Sequence, residues 1–273
     1  MLKRVGLIVL TGVIGLAGCK PDAAVKQAEV IDNGTKPAEI PSAPLSSAAR
    51  PTVAIDPSSL GTVSGTIHFN GKAPAPVRID TSMDPACNLG GGPEVYSEQF
   101  VVNAGKLANV FVYVKNGPAT AMAMGASTPA PVVLDQKGCQ YVPHVVGVMQ
   151  GGFVEFHNSD PTMHNIHTMP TVVGNQTVDV SQGPRGAAQS KQFKVAEMMI
   201  PVRCNNHPWM NAFINVSPTP FFQVTGKDGT FRLSGLPAGN YTIGAVQEKL
   251  GEKTMSVTVT AKGTAVADFG FGQ

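Results

Sequence analysis

A short loop in the second half of the chain combines three residue types that bind transition metals. Cys204, His207 and Met210 lie within seven residues, directly after a strand-like run at 198–203. A thiolate, an imidazole and a thioether are soft or intermediate ligands, and two His with one Cys and a long, weak axial Met are typical of an electron-transfer copper site. The spacing therefore predicts a metal loop at residues 204–210 that needs one more His.

The second imidazole is predicted to come from a turn upstream. The run at residues 153–157 has the composition of a strand and is followed by Asn, Ser, Asp and Pro, which are typical turn residues. His164 and Asn165 come directly after this turn. His164 therefore completes the donor set. Met163 is an alternative axial donor, but residues adjacent on a strand point to opposite faces, which favours Met210.

The combined pattern resembles the cupredoxins, the small blue copper proteins. The Cys-x-x-His-x-x-Met loop with Pro after the His is similar to that of amicyanin, and the upstream His-Asn pair is similar to that of plastocyanin and azurin. The resemblance implies one type 1 copper, held strongly by His164, Cys204 and His207 and weakly by Met210. It also implies that Asn165 ties the two ligand loops together by hydrogen bonds.

The same resemblance implies an electron-transfer surface at the loop His. In cupredoxins the edge of this His faces the redox partner through an apolar patch, which here would comprise His207, Pro208 and Trp209. Filling of the core is an equally good interpretation of Trp209. The alternative for the whole site is that Cys204 is a small buried hydrophobe and that the histidines are surface residues.

Composition predicts an all-β fold. The 273 residues include 30 Gly and 22 Pro but only 6% aromatic residues, and the apolar residues fall in short β-branched runs bounded by turns rather than in long amphipathic helices. We expect a cupredoxin Greek-key β-sandwich at 83–217 and a second, smaller β-sandwich.

The second sandwich is predicted from motifs near the C terminus. Asp-Gly-x-Phe at 228–231 and Leu-Pro-x-Gly-x-Tyr at 236–241 resemble the carboxypeptidase regulatory-like, transthyretin-type sandwich. Because 218–273 alone are few residues for a core, and 62–69 is similar to the first strand of that family, we expect 60–82 plus 218–273 to form one sandwich into which the cupredoxin domain is inserted. The simpler alternative adds 60–82 to the cupredoxin sheet.

The N terminus has the pattern of an export signal. Lys3 and Arg4 precede an apolar run, and Leu-Ala-Gly-Cys at 16–19 resembles a bacterial lipobox. This pattern predicts a signal peptide at 1–18, lipidation of Cys19 and a disordered linker at 19–60. Lys20, rather than Asp, after the Cys resembles the outer-membrane pattern of Gram-negative lipoproteins, which implies an anchor in the outer membrane, facing the periplasm. An ordinary secretory signal is the alternative.

The remaining cysteines are Cys87 and Cys139. With Cys19 assigned to lipid and Cys204 to metal, and with export to an oxidising compartment, we expect a disulfide between them. A second metal site that uses Cys139 and His144 is the alternative, although it lacks a clear third ligand.

We therefore expect an electron carrier, not an enzyme, that serves periplasmic or cell-surface redox proteins. Without Lys3 and Arg4 the chain is electrically neutral, which gives no support for nucleic-acid binding. Copper enzymes resemble one another in placing His beside the ligand Cys, whereas here Arg203 and Asn205 flank it. A copper shuttle or a surface-binding module is the remaining alternative. For a shuttle, four methionines could form a copper-carrying cluster, although Met is also common in cores: Met163, Met169, Met198 and Met199.

Overall fold

The structure is a computed structural model that describes residues 56–88, 94–125 and 130–272. The predicted signal peptide, the Cys19 that is predicted to be lipidated and nearly all of the predicted linker lie outside these residues. Among the residues described, no helix has the length and apolar character needed to cross a membrane.

The described chain is almost entirely β-structure, as predicted. Its only α-helix is the short α1, Ala119–Met122, and 3-10 turns occur at Pro57–Ser59 and Pro85–Cys87. The strands are β1 Leu60–Asn70, β2 Val102–Asn103, β3 Lys106–Leu107, β4 Phe111–Asn116, β5 Val132–Gln136, β6 Tyr141–Val142, β7 Val145–Met149, β8 Phe153–Asn158, β9 His164–Thr168, β10 Asp179–Gln182, β11 Gln189–Gln192, β12 Glu197–Arg203, β13 Asn211–Ser217, β14 Phe222–Val224, β15 Thr230–Pro237, β16 Gly239–Gln247, β17 Gly251–Val259, β18 Thr264–Val266 and β19 Phe269–Gly272.

Two of the four sheets enclose one apolar core, and we call this part the terminal sandwich. One sheet has the order β15-β1-β3-β2, with β18 and β19 also paired to β1, and the other has the order β14-β4-β16-β17. Alternation along β15 explains the packing, because Phe231 and Leu233 are buried while Arg232 between them is exposed. The core of this sandwich joins residues from both ends of the described chain, including Ile67 and Phe271.

The other two sheets enclose a second core, and we call this part the metal-loop sandwich. Their orders are β10-β9-β12-β13-β7 and β11-β8-β5-β6. Their inner faces bury large apolar side chains such as Phe156, Ile166 and Ile214. The predicted donors His164, Cys204, His207 and Met210 belong to β9 and to the loop between β12 and β13.

The strand β4 lies in a different sheet from the one that the sequence indicated. We expected residues 110–114 to belong to the cupredoxin domain at 83–217, but β4 pairs with β14 and β16 of the terminal sandwich. Val112 and Val114 are accordingly part of the terminal core. A β-branched run predicts a strand, but it contains no information about which distant strand will pair with it.

A third apolar cluster connects the two sandwiches. Phe111 and Tyr113 of the terminal sandwich and Val145 of the metal-loop sandwich are buried together. Gly147 permits this approach, because a Cβ atom there would lie 2.5 Å from Phe111. A buried pair between His144 and Glu248, with Nε2 and Oε1 2.9 Å apart, also joins the two sandwiches.

Candidate metal centre

The antiparallel pairing of β9 with β12 brings the two donor segments to one edge of a sheet. Arg203 is opposite His167 in this ladder. Because the two strands are antiparallel, the chain that continues past Arg203 runs back along β9 toward His164, the first residue of β9. His164 therefore approaches the loop that begins at Cys204. The loop is closed by backbone hydrogen bonds, from the amide of Met210 to the carbonyl of His207 at 2.9 Å and from the amide of Cys204 to the carbonyl of Met210 at 3.3 Å.

Three of the four predicted donors meet at this edge. Nδ1 of His164 lies 2.9 Å from Nδ1 of His207, and Sγ of Cys204 lies 3.5 Å from the same atom of His207. One ligand atom from each of the three residues falls within 4.8 Å of the others. The side chains are buried, with exposures of 0% for His164, 4% for Cys204 and 3% for His207. The arrangement is a compact set of one sulfur and two nitrogen donors that could hold a metal ion.

The two methionines that were candidates for the axial position differ in burial. Met210 is 1% exposed and packs in the same apolar core as Cys204. Met163 precedes His164 but is 49% exposed, as expected for neighbours on an extended chain that point in opposite directions. The structure therefore favours Met210 over Met163 as the fourth donor.

Asn165 connects the two donor segments. Its backbone amide donates to Sγ of Cys204 at 3.3 Å, and its side-chain oxygen accepts from the amide of Asn205 at 3.4 Å. The side-chain nitrogen donates to Asp179 at 2.9 Å, and the phenol of Tyr141 donates to the carbonyl of Asn165. Asn165 thus holds β9 and the metal loop in register and places a donor on the sulfur.

Each of the two histidines contacts a carboxylate that the sequence analysis did not predict. Oδ2 of Asp160 lies 2.8 Å from Nε2 of His164, and Oδ2 of Asp84 lies 2.8 Å from Nε2 of His207. Because an ionised carboxylate only accepts hydrogen bonds, both Nε2 atoms carry protons, and Nδ1 of each ring is the atom left to face the donor cluster. Asp160 is four residues before His164 and could have been suspected, but nothing in the sequence links Asp84 to His207.

The electrostatics of the centre favour a thiolate. Burial would raise the pKa of the Cys204 thiol, but hydrogen bonds from His164 and from the backbone amides of Asn165 and Asn206 lower it to about 6. Burial would lower the pKa of His164, but its contacts with Asp160 and Cys204 raise it to about 9. A thiolate is the form of Cys that binds metals, and a bound cation replaces protons at such a site.

The predicted electron-transfer surface requires a correction. The edge of His207 was expected to face partners, but this side chain is buried and Asp84 lies on its outer nitrogen. Pro208 is exposed and Trp209 is half-buried. The indole nitrogen of Trp209 donates to the carbonyl of Cys139 at 3.0 Å, and its ring centroid is 5.1 Å from that of His207. Trp209 therefore both fills space and lies against the ring of His207.

The predicted disulfide between Cys87 and Cys139 is confirmed. The alternative metal site fails, because Cys139 is bonded to Cys87 and His144 pairs with Glu248 instead. Two further groups of possible ligands among the described residues, Asp84 with Cys87 and His207 and Cys139 with Asp160 and His164, each contain a cysteine of this disulfide. They have no free thiolate and adjoin the centre already described.

His157 and His167 do not join the centre. His157 lies 3.3 Å from Glu155, and Nδ1 of His167 lies 3.2 Å from the side-chain oxygen of Asn205. Neither residue belongs to a group of potential metal ligands within the described part of the chain.

Comparisons with known proteins find partial likenesses only among solved structures. No family model and no curated protein matches the chain. A Cu-containing nitrite reductase from Thermus scotoductus SA-01 is 24% identical, over 38% of this chain and 27% of its own, with a TM-score of 0.29. The chain thus spans about a quarter of that enzyme's length. A mutant of amicyanin in the Cu(I) form is 20% identical over 40% of this chain and 98% of its own, with a TM-score of 0.28. A purple cupredoxin from Nitrosopumilus maritimus is 20% identical over 33% of this chain and all of its own, with a TM-score of 0.26.

Proposed function

We propose that the protein is a single-electron carrier with one type 1 copper bound by His164, Cys204 and His207 and, axially, by Met210. The observation that carries this proposal is the buried cluster of His164, Cys204 and His207, in which one ligand atom from each residue lies within 4.8 Å of the others and the two Nδ1 atoms are 2.9 Å apart. Two imidazoles, one thiolate and a nearby thioether match the donor set of electron-transfer copper sites. Copper bound there would supply reversible uptake and release of one electron.

The role of the chain is to hold the donors still and keep water away. The donors are fixed by the β9–β12 ladder and by the closed loop 204–210. Within the described part of the chain the four side chains are at most 4% exposed, and such burial favours electron transfer over reaction with a bound substrate. The same burial argues against a copper shuttle, because rapid metal exchange needs ligands that solvent can reach.

The sequence is also the basis for a proposed cellular location and a proposed class of partner. We propose an exported lipoprotein anchored through Cys19 to the outer membrane, facing the periplasm, where it would exchange electrons with other redox proteins. Pro208, which is exposed, and Trp209, whose ring lies beside His207, would form the docking surface in place of the His207 edge.

An absorption spectrum tests the proposed centre. Copper(II) added to the folded protein should give an intense visible thiolate-to-copper band, since Sγ of Cys204 would bind the metal directly. Cys204→Ala should abolish the band, whereas Met163→Leu, at a half-exposed position outside the cluster, should keep it. A band that survives Cys204→Ala would refute the site, and colourless binding of copper would refute a type 1 centre.

Redox cycling separates the carrier from the shuttle. The carrier should be reduced and reoxidised by one electron per protein with copper retained through many cycles, as measured by metal analysis after gel filtration. Loss of copper on each reduction would instead indicate a shuttle.

A further inference from the structure

Asp84 belongs to a segment that is distant from the metal loop in the sequence but lies directly on it. This residue is the N-cap of the 3-10 turn Pro85–Cys87, and its Oδ1 accepts from the amide of Ala86 at 2.8 Å. Its Oδ2 accepts from Nε2 of His207 at 2.8 Å and from the hydroxyl of Thr162 at 3.1 Å. One carboxylate therefore joins its own turn, the metal loop and the turn that precedes His164.

The segment that carries Asp84 is held by a disulfide and by an internal hydrogen bond. Cys87 is bonded to Cys139 of the metal-loop sandwich. The hydroxyl of Thr81 donates to the side-chain oxygen of Asn88 at 2.7 Å, which closes the segment on itself. The carboxylate is consequently held in place against His207 by covalent and polar contacts that do not involve a metal.

A carboxylate at this position has two consequences for a ligand. It fixes the ring so that Nε2 keeps the proton and Nδ1 is directed at the cluster, and it increases the electron-donating strength of the imidazole. Negative charge beside a ligand stabilises the more positive oxidation state of a metal more than the less positive one, because the Coulomb energy is proportional to the charge of the ion.

We propose that Asp84 is a positioning residue that orients His207 as a ligand and stabilises the oxidised form of the centre, thereby lowering its reduction potential. The part that concerns the potential rests on the proposed copper function. The part that concerns the orientation of His207 applies to the metal-free protein as well. Asp160 makes a similar contact with His164, but it also accepts from the amides of Gly138 and Cys139, so its replacement would disturb the backbone too.

The test uses Asp84→Asn with Asp80→Asn as the matched control. Asn is also a good N-cap and keeps an acceptor oxygen, so the 3-10 turn is retained and mainly the charge is lost. Asp80 is exposed in the same segment and contacts Ser82, so its variant has the same charge change without the contact to His207. Circular dichroism and a thiol count check that both variants are folded with the disulfide intact.

In the copper-loaded protein, Asp84→Asn should weaken copper(II) binding by about 10- to 100-fold, as is typical for residues that support a ligand. If copper(I) binding changes little, each tenfold loss raises the reduction potential by about 59 mV for a one-electron couple. Asp80→Asn should match the wild type in competition titrations and voltammetry. Equal potentials and affinities for the two variants would overturn the proposal.

A metal-free measurement separates this proposal from the proposed function. Diethylpyrocarbonate modifies accessible imidazole nitrogens, and mass spectrometry locates the product. His207 in the metal-free wild type and in Asp80→Asn should react slowly, while Asp84→Asn, with its weaker hydrogen bond, should react faster. If the wild type shows no thiolate-to-copper band, the proposed function fails, but faster labelling of His207 still supports its orientation by Asp84. Unchanged labelling overturns that orientation.

Discussion

The two sandwiches bury very different kinds of side chain. The core of the terminal sandwich is almost wholly apolar, and few polar side chains are buried in or directly after its strands: Thr62, Thr225 and Gln247. The metal-loop sandwich buries many more, among them Gln136, Asn158, Asp160, His164, Asn165, Gln182, Glu197, His207 and Asn215. Burying a polar group is unfavourable unless it is hydrogen-bonded. The many buried polar side chains of the metal-loop sandwich therefore fix the positions of particular atoms and do not serve stability alone.

The polar groups of the metal-loop sandwich form connected networks that reach the donors. Asn158, at the end of β8, donates to the carbonyls of Thr162 at 3.0 Å and Gly183 at 2.8 Å. Gln136 donates to the side chain of Gln182 at 2.6 Å. These bonds fix the turn that presents His164. In the part of the chain that the structure describes, Oε1 of Gln136 is the one buried side-chain nitrogen or oxygen that lacks a partner.

The largest expected loss of stability comes from replacing one buried aromatic residue in each core, which also compares the two cores. Phe231 of the terminal sandwich is 3% exposed and Phe156 of the metal-loop sandwich is 0% exposed. Replacement of either by Ala should reduce the free energy of unfolding by about 3–5 kcal/mol, because it removes buried apolar contacts and leaves a cavity. Only Phe156→Ala should also speed copper loss to a chelator, because Phe156 is two residues before Asn158. Equal copper loss in both variants would show that the two cores do not act separately.

A smaller loss of stability is expected from neutralising one carboxylate in each sandwich, Glu197 or Glu252. Glu197 is 8% exposed and accepts hydrogen bonds from the loop that follows β9, from Thr171, Val172 and Asn175. Glu252, at the surface of the terminal sandwich, bonds Tyr113 and Lys115. Since hydrogen bonds to a buried charge are stronger than surface ion pairs, Glu197→Gln should reduce stability at pH 7 by about 2 kcal/mol and Glu252→Gln by less than about 1 kcal/mol. Denaturant unfolding measures both.

The effect of Glu197 should depend on pH. Burial would raise the pKa of this carboxyl, but its hydrogen bonds with Asn175 and Thr171 hold it below the usual 4.5. A group whose pKa is lowered by folding stabilises the protein fully above its unfolded value and loses that contribution as the pH falls through the folded value. The stability difference between wild type and Glu197→Gln should therefore shrink below pH 4.5. A difference that grows on acidification would contradict this assignment.

The smallest effect on stability is expected from replacing Met210 or Met163. Replacing Met210 should also change the reduction potential. Met210→Leu conserves volume and should cost less than about 1.5 kcal/mol. It removes a weak axial ligand, so the protein should stay coloured while its reduction potential rises, and Met210→Gln should lower the potential. Met163→Leu is the matched control at a half-exposed position and should leave the potential unchanged. If Met163→Leu changed the reduction potential and Met210→Leu did not, the fourth ligand would be Met163.

Local features of this protein were determined by the sequence alone. The spacing of Cys204, His207 and Met210 is set by covalent geometry, so a loop of seven residues places these donors close together in any fold that forms it. Short β-branched runs predict strands because alternating side chains fit a half-buried sheet. The disulfide was expected because Cys87 and Cys139 are the two cysteines that remain once Cys19 is assigned to lipid and Cys204 to metal.

Only the tertiary structure decided which distant segments meet. β4 joined the terminal sandwich because strand pairing depends on the surface that each face can bury, and many β-branched strands satisfy the same local pattern. The contact between Asp84 and His207 spans 123 residues, and the sequence around Asp84 indicated only a loop. Hydrogen bonds of this kind depend on where separate chain segments are placed by their cores. For that reason the close approach of Cys204, His207 and Met210 within one loop was predictable, whereas the contact of Asp84 with His207 was not.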